Sequence, residues 1–234
     1  MKNKTIILAL VAARKDSKEI KNKNLLKIGK KSIVSIATSV SLKIKIIDYT
    51  ILSSDSPKIL DLVKNNKKIF KIKRSSFLAR DNTPMLPVMK NAISCFENKF
   101  NRSVSSLIIL DPTSPLRQIN DVKNAIKIFK NKKLDLLVSV NKAEHNPYFS
   151  IVEKKGNYFS LCKGNNLNIG SRQKAKKVFN INTVVWIYSR KAIMDGKKRI
   201  PFKTDVIIIP EKRTLELNTK QDLSNIRKHL KKIG

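Results

Sequence analysis

The chain has 234 residues, 41% of them hydrophobic, enough for one α/β domain with a full core and too few for two comfortable ones. Fifty basic against 17 acidic residues give a formal charge of +33, yet the lysines are scattered and outnumber arginine, without the arginine clusters and interleaved aromatics that mark nucleic-acid readout. No stretch approaches the roughly 18 uninterrupted apolar residues of a membrane span, and Cys95 and Cys162 lack the spacing of a zinc site or disulfide framework, so a cytoplasmic chain with no membrane and no specific nucleic-acid partner is expected.

Taken in chain order, Thr5 to Ala12 is apolar after its threonine and lacks helical periodicity, as a strand buried on both faces does. It runs into a loop that crowds Arg14, Ser17, Lys18 and Lys23 together, at the carboxyl end of a strand where open α/β sheets place ligands. Arg14 offers a bidentate fork, Lys18 and Lys23 offer point charges, and Ser17 with nearby backbone N–H groups suits phosphate oxygens. A merely solvated basic loop reads equally well from this segment alone, because both a Walker pattern and a Rossmann glycine fingerprint are absent.

Ile46 to Leu52 reads as the second strand, followed by a helix capped by Ser56 with Pro57 in its first turn, and Ile69 to Ile72 as a short third strand. Val88, Ala92, Ile93 and Phe96 share a helix face; Val104 to Leu110 is the next apolar strand and leads directly into Asp111-Pro-Thr-Ser-Pro-Leu-Arg117. Asn120 or Asp121 caps a further helix carrying Val122, Ala125, Ile126 and Phe129, and Leu134 to Val140 is another buried strand. The rhythm then changes: Tyr148 to Val152 and Tyr158 to Cys162 flank a turn at residues 154–157, which predicts an antiparallel excursion. Val178 to Tyr188 and Asp205 to Ile209 resume strand character, and Lys220 to Lys232 is an amphipathic helix.

Seven separated motifs keep one order: Ala13-Arg14 with Ser17-Lys18 and Lys23-Asn24-Leu25, Ser53-Ser54-Asp55, Arg74 with Leu78-Ala79-Arg80-Asp81, Asp111 to Arg117, Ser139-Val140 with His145-Asn146-Pro147, Arg172-Gln173 with Asn182, and Glu216-Leu217-Asn218-Thr219. Together they resemble the acylneuraminate cytidylyltransferases, the CMP-sialic acid synthetases. The resemblance implies a three-layer α/β/α sandwich of the nucleotide-diphospho-sugar transferase type, mainly parallel, over residues 1–234, with a protruding antiparallel dimerisation element near residues 141–180. It implies transfer of a cytidylyl group from CTP to an acidic nine-carbon 2-keto sugar, in a homodimer that uses Mg²⁺.

The same resemblance assigns roles. Arg14, Lys18 and Lys23 become the catalytic cations. Ala13, Arg14, Ser17, Lys23, Asn24, Arg74 and Asp111 would bind nucleotide, with Asp111 standing where the family has glutamine. Thr113, Ser114, Arg172, Gln173, Asn182 and Trp186 would line the sugar pocket, and Glu216 and Asn218 would hold the metal in place of two aspartates. Three departures matter: Glu19 replaces a glycine beside the phosphates, Asn218 replaces a metal carboxylate with a neutral amide, and Thr183 replaces a glycine near the sugar. The departures motivate a catalytically degenerate homologue as the alternative, and a 3-deoxy-manno-octulosonate cytidylyltransferase is the neighbouring enzyme reading.

Overall fold

A computed structural model describes residues 5–17, 19–163 and 172–231. Seven strands form the central sheet: β1 (Ile6–Ala12), β4 (Tyr49–Ser54), β5 (Ile69–Lys73), β6 (Val104–Ile109), β7 (Leu136–Lys142), β10 (Phe179–Ser189) and β11 (Thr204–Ile208). Their order is β11-β7-β10-β6-β1-β4-β5, parallel throughout except for β10, which runs antiparallel to both neighbours. Two small antiparallel pairs stand apart from it, β2 (Lys27–Ile28) with β3 (Lys31–Ser32), and β8 (Val152–Lys155) with β9 (Tyr158–Leu161).

The alternation along β1 assigns each face of the sheet to one core. Ile7, Ala9 and Val11 join α1 (Ile33–Leu42), α4 (Ile119–Lys132) and Ile226 of α6 (Lys220–Lys231), with Ile59 of the short α2 (Pro57–Leu60). Ile6, Leu8 and Leu10 face Met89, Ala92, Ile93 and Phe96 of α3 (Met85–Phe100) and Ile193 of α5 (Arg190–Met194). A strand covered on both faces has no polar side to display, which is why the first strand reads as a continuous apolar run. The result is the expected three-layer arrangement, helices on either side of a mainly parallel sheet.

Three expectations shift in detail. The second strand begins at Tyr49 rather than Ile46, because Ile44 and Ile47 are spent as buried packing beneath the core. The helix after Ser56 is a single turn, and the Ser56 side chain makes no cap; the Ser54 hydroxyl instead accepts from the Ser56 N–H. Helix α4 starts one residue before Asn120, with Asp121 reaching back to the Gln118 N–H at 3.0 Å while its two oxygens receive the Arg213 guanidinium.

One ion pair ties the layers of the α3 side. Glu97 near the end of α3 accepts from the Val104 N–H at the start of β6 and takes a bidentate pair from Arg190 of α5, both contacts at 2.9 Å. The hydrogen bond from Arg190 holds the Glu97 carboxyl below its ordinary 4.5, against the opposing effect of burial. A lowered folded-state value means the stabilisation is present above the unfolded carboxylate range and is lost as pH falls through the lowered value. Glu97→Gln should therefore cost about 1 kcal/mol at pH 7, with the gap to wild type closing below pH ~4; urea unfolding at several pH values checks this, and a gap that does not depend on pH would contradict it.

Candidate active site

The loop after β1 is built to present cations. Its Ala13 and Ile20 are buried in the core, and the Ala13 N–H donates to the Ser53 carbonyl at the end of β4. The Lys15 N–H donates to Asp55 (2.9 Å), and the Asn24 amide donates to the Arg14 carbonyl (2.9 Å), so the loop is fastened at both shoulders. Asn22 takes a left-handed conformation (φ 57°), which asparagine tolerates, and turns the chain into the 3-10 turn Lys23–Leu25. Arg14, Ser17, Lys23 and Asn24 thereby face one cleft of about 260 Å³. Lys18 lies outside the described residues.

The opposite walls come from β5, β6 and the start of α3. Arg74, just beyond β5, lines the cleft while almost wholly buried; burial lowers its pKa, Asp55 opposes that, and Arg14 adds to it. Its Nε is buried without a hydrogen-bond partner, as is the Ser53 hydroxyl at the end of β4. Arg14 is paired across the cleft with Asp81 in a partly exposed ion pair. Asp111 and Thr113 close the remaining side; Asp111 is turned onto its own loop, where its Oδ1 receives the Thr113 N–H (3.0 Å) and hydroxyl (2.9 Å). Of the described nucleotide-side residues expected from sequence, all but Ala13 are thus brought to one cleft. The Ala13 neighbour Ala12 lines it instead.

The sugar-side residues fare differently. Thr113 lines the cleft, but Ser114, Asn182 and Trp186 are buried and serve an irregularity in β10. The register of β10 against β7 breaks between Ile181 and Trp186, which strips the intervening backbone of ladder partners. Side chains supply them. The Asn182 carbonyl accepts from the Ser139 hydroxyl (3.2 Å) and the Trp186 indole N–H (2.7 Å), while the Val185 N–H donates to the same serine (2.9 Å). The Thr183 N–H and hydroxyl both donate to Glu216 Oε1 (3.0 and 2.7 Å), and the Thr183 hydroxyl also meets Ser114 Oγ (2.7 Å). Arg117 donates through Nε to the Val184 carbonyl and through one terminal nitrogen to the carbonyls of Asp111 (2.9 Å) and Thr183 (3.1 Å). Trp186 is accordingly a core residue, stacked on Tyr188, rather than a pocket wall. Gln173 is exposed in a 3-10 turn with Arg172 and is not among the residues lining the cleft.

The residues expected at the metal do not fit a protein-held Mg²⁺. Glu216 Oε1 is engaged twice by Thr183, and the Asn218 amide oxygen faces the Lys23 ammonium at 3.3 Å. Mg²⁺ requires near-octahedral oxygen ligation, whereas this pair supplies a single carboxylate with one of its two oxygens already occupied and a neutral carbonyl already turned to a cation. Among the described residues, no group of three or more His, Cys, Asp or Glu side chains is arranged to hold an ion.

The cleft thus gathers guanidinium and ammonium groups where parallel strands end, the arrangement that binds phosphate anions. Residues 8–228 match the cytidylyltransferase family model. The chain belongs to the cytidylyltransferase family. It is a nucleotidyltransferase, and it is 29% identical over 217 residues to the CMP-N,N'-diacetyllegionaminic acid synthase of Campylobacter jejuni, covering 92% of this chain and 91% of that protein. The "post-translational flagellin modification protein B" of Campylobacter coli is 28% identical over the same shares. Among solved structures, a CMP:2-keto-3-deoxy-manno-octonic acid synthetase in complex with CTP superposes with a TM-score of 0.69 at 13% identity, over 98% of this chain and all of that one, a likeness of fold.

The partners of three motif residues of this cytidylyltransferase escape sequence reasoning. Asp81 pairs with Arg14 across 67 positions, and Glu216 and Arg117 support β10 from distant segments. Arg117 is fully buried, and burial lowers its pKa to about 10 despite Asp111 and Asp121, so it remains charged at neutral pH. Lysine cannot reproduce a planar fork serving three carbonyls. Arg117→Lys should cost about 2–4 kcal/mol and lower Tm by roughly 5–10 °C; an unchanged thermal transition would show that these contacts carry no stability.

Proposed function

We propose that the chain transfers the cytidylyl group of CTP to an acidic nine-carbon 2-keto sugar of the legionaminic or sialic type, giving the CMP-sugar and pyrophosphate. The observation that carries the reading is the convergence of Arg14, Lys23 and Arg74 on the cleft at the carboxyl ends of β1, β5 and β6. Similarity over 92% of this chain to a synthase named for CMP-diacetyllegionaminic acid supports the sugar class. In this reading the anomeric hydroxyl of the sugar attacks the α-phosphorus in line. The new O–P bond forms as the bond to pyrophosphate breaks, so the protein works by orientation and charge neutralisation rather than covalent chemistry.

Each cation has a distinct part. Arg14 exchanges the Asp81 carboxylate for phosphate oxygens, a cheap exchange because exposed ion pairs contribute little. Lys23, almost wholly buried, supplies a fixed positive charge to the transferring and leaving phosphates. The orphaned Nε of Arg74, which lines the cleft, is a polar group that a nucleotide satisfies on binding. The net charge of +33 draws trianionic and tetraanionic substrates inward at low salt. A reaction that consumes CTP belongs in the cytoplasm, where nucleotides are made, and no helix among the described residues is long and apolar enough to cross a membrane.

Pyrophosphate release in the presence of Mg²⁺ tests the activity. CTP should support release, other nucleoside triphosphates should not, and a legionaminic-type acid should exceed N-acetylneuraminic, pseudaminic and 3-deoxy-manno-octulosonic acids. Silence from folded protein that binds CTP would contradict the activity; release with the octulosonic acid alone would move the assignment to that neighbouring enzyme.

The reading includes a homodimer formed through the β8–β9 hairpin, whose Val152, Tyr158 and Phe159 are exposed by 56, 80 and 69%. Exposed apolar side chains on a two-stranded ribbon are a contact surface rather than a stable fold of their own. Light scattering should give a dimer that Tyr158→Lys with Phe159→Lys converts to monomer; a monomeric wild type would contradict this assignment.

A further inference from the structure

Lys23 is held from two sides that are far apart in sequence. Its Nζ lies 3.0 Å from Glu19 Oε2, four positions earlier in the same loop, and 3.3 Å from Asn218 Oδ1, 195 positions later. Asn218 is itself fixed by donation of its N–H to Asp222 Oδ2 at 3.0 Å. The lysine is 8% exposed and borders the cleft. An ammonium has three donors, and a carboxylate and an amide oxygen account for two. The third donor is left for a ligand in the cleft that Lys23 lines.

We infer that Glu19 and Asn218 are positioning residues for Lys23, and that its ammonium takes the place of a protein-held divalent ion between the phosphate loop and the 216–218 segment. The inference rests on the nucleotidyl-transfer reading of the cleft for its catalytic consequence. Two observations converge on it. The 216–218 segment offers a divalent ion a single carboxylate, with its Oε1 already committed to Thr183, and a neutral amide oxygen turned to Lys23, fewer donors than a protein-held Mg²⁺ requires. The two residues that look least suited to a triphosphate site, Glu19 with its negative charge and Asn218 with its neutral amide, are the two that touch the Lys23 ammonium. A divalent ion placed beside Asn218 meets like-charge repulsion from Lys23 in a half-buried setting. Mg²⁺ then reaches the site as part of the nucleotide complex, ligated by phosphate and water, and the bare protein does not carry it.

Mn²⁺ serves as the probe, followed by paramagnetic resonance with nucleotide-free protein. Wild type should leave Mn²⁺ in solution, whereas Lys23→Met combined with Asn218→Asp, which removes the ammonium and adds a carboxylate, should bind one ion about tenfold more tightly or better. Stoichiometric binding by wild type that Asn218→Ala weakens would overturn the inference, and so would a double variant, folded by its thermal transition, that binds no better than wild type. A kinetic arm separates positioning from general stability. Glu19→Gln should lower turnover about tenfold while KM for CTP stays level or falls, because the triphosphate meets one negative charge fewer. In a Lys23→Met background the same change should have no further effect; additive losses would count against the clamp. If no acid supports pyrophosphate release, the activity assignment fails and the Mn²⁺ result alone decides this one. Release with CTP together with tight Mn²⁺ binding by wild type would sink the clamp and leave the activity standing.

Discussion

The backbone run Asn182–Val185 must be satisfied without a regular ladder, and much of the site is arranged around that requirement. An antiparallel strand set between two parallel ones loses register just where it reaches the ligand-binding edge of the sheet. Buried N–H and C=O groups without partners cost on the order of 1–3 kcal/mol each, so the fold recruits Ser139, Arg117, Trp186 and Glu216 to the gap. Arg117 also holds the Asp111 carbonyl, which fastens the loop bearing Asp111 and Thr113 to β10. The Leu217 N–H donates to the Thr113 carbonyl at 2.8 Å, bringing the 216–218 segment to the same place. A defect in one strand thus brings three remote segments into register beside the cleft.

The second theme is the handling of surplus positive charge. In a chain with 50 basic residues, the few carboxylates near the cleft have an organising effect out of proportion to their number. Asp81 pairs with Arg14, Glu19 holds Lys23, and Asp55 anchors the Lys15 amide. Each stands beside a cation that a triphosphate also wants. The carboxylates orient those cations in the absence of substrate, and the partial exposure of the Arg14–Asp81 pair keeps that pairing weak enough to yield.

How much of this was legible in the sequence depends on whether the deciding interactions are local. The apolar strands β1, β6 and β7, the helices α3 and α4, the β8–β9 hairpin and the cationic loop could be read because each is a contiguous pattern. Helix α1 was not, since Ile33, Val34, Ile36, Thr38 and Val40 are β-branched and resemble a strand; burial against the sheet and the Ser32 cap, which accepts the Ser35 N–H at 3.1 Å, override that preference. The nucleotide-side residues Arg14, Ser17, Asn24 and Arg74 assemble as motif order suggests. Trp186, Asn182 and Ser114 do not reach the cleft, because an indole N–H or a hydroxyl near a strand end serves a pocket or a broken ladder equally well, and only the register of β10 decides. The family resemblance puts Glu216 and Asn218 at the metal; the partners that redirect them, Thr183 and Lys23, lie 33 and 195 positions away.

The central claim, that the cleft beneath the 14–24 loop receives the triphosphate of CTP, is tested most directly by the structure of the protein bound to CTP. The distance to measure is that between the Arg14 guanidinium and the Asp81 carboxylate. The pair should have parted, with Arg14 and Lys23 on phosphate oxygens and the Arg74 Nε partnered. A CTP molecule bound elsewhere, or bound in the cleft with Arg14 still on Asp81, would contradict it.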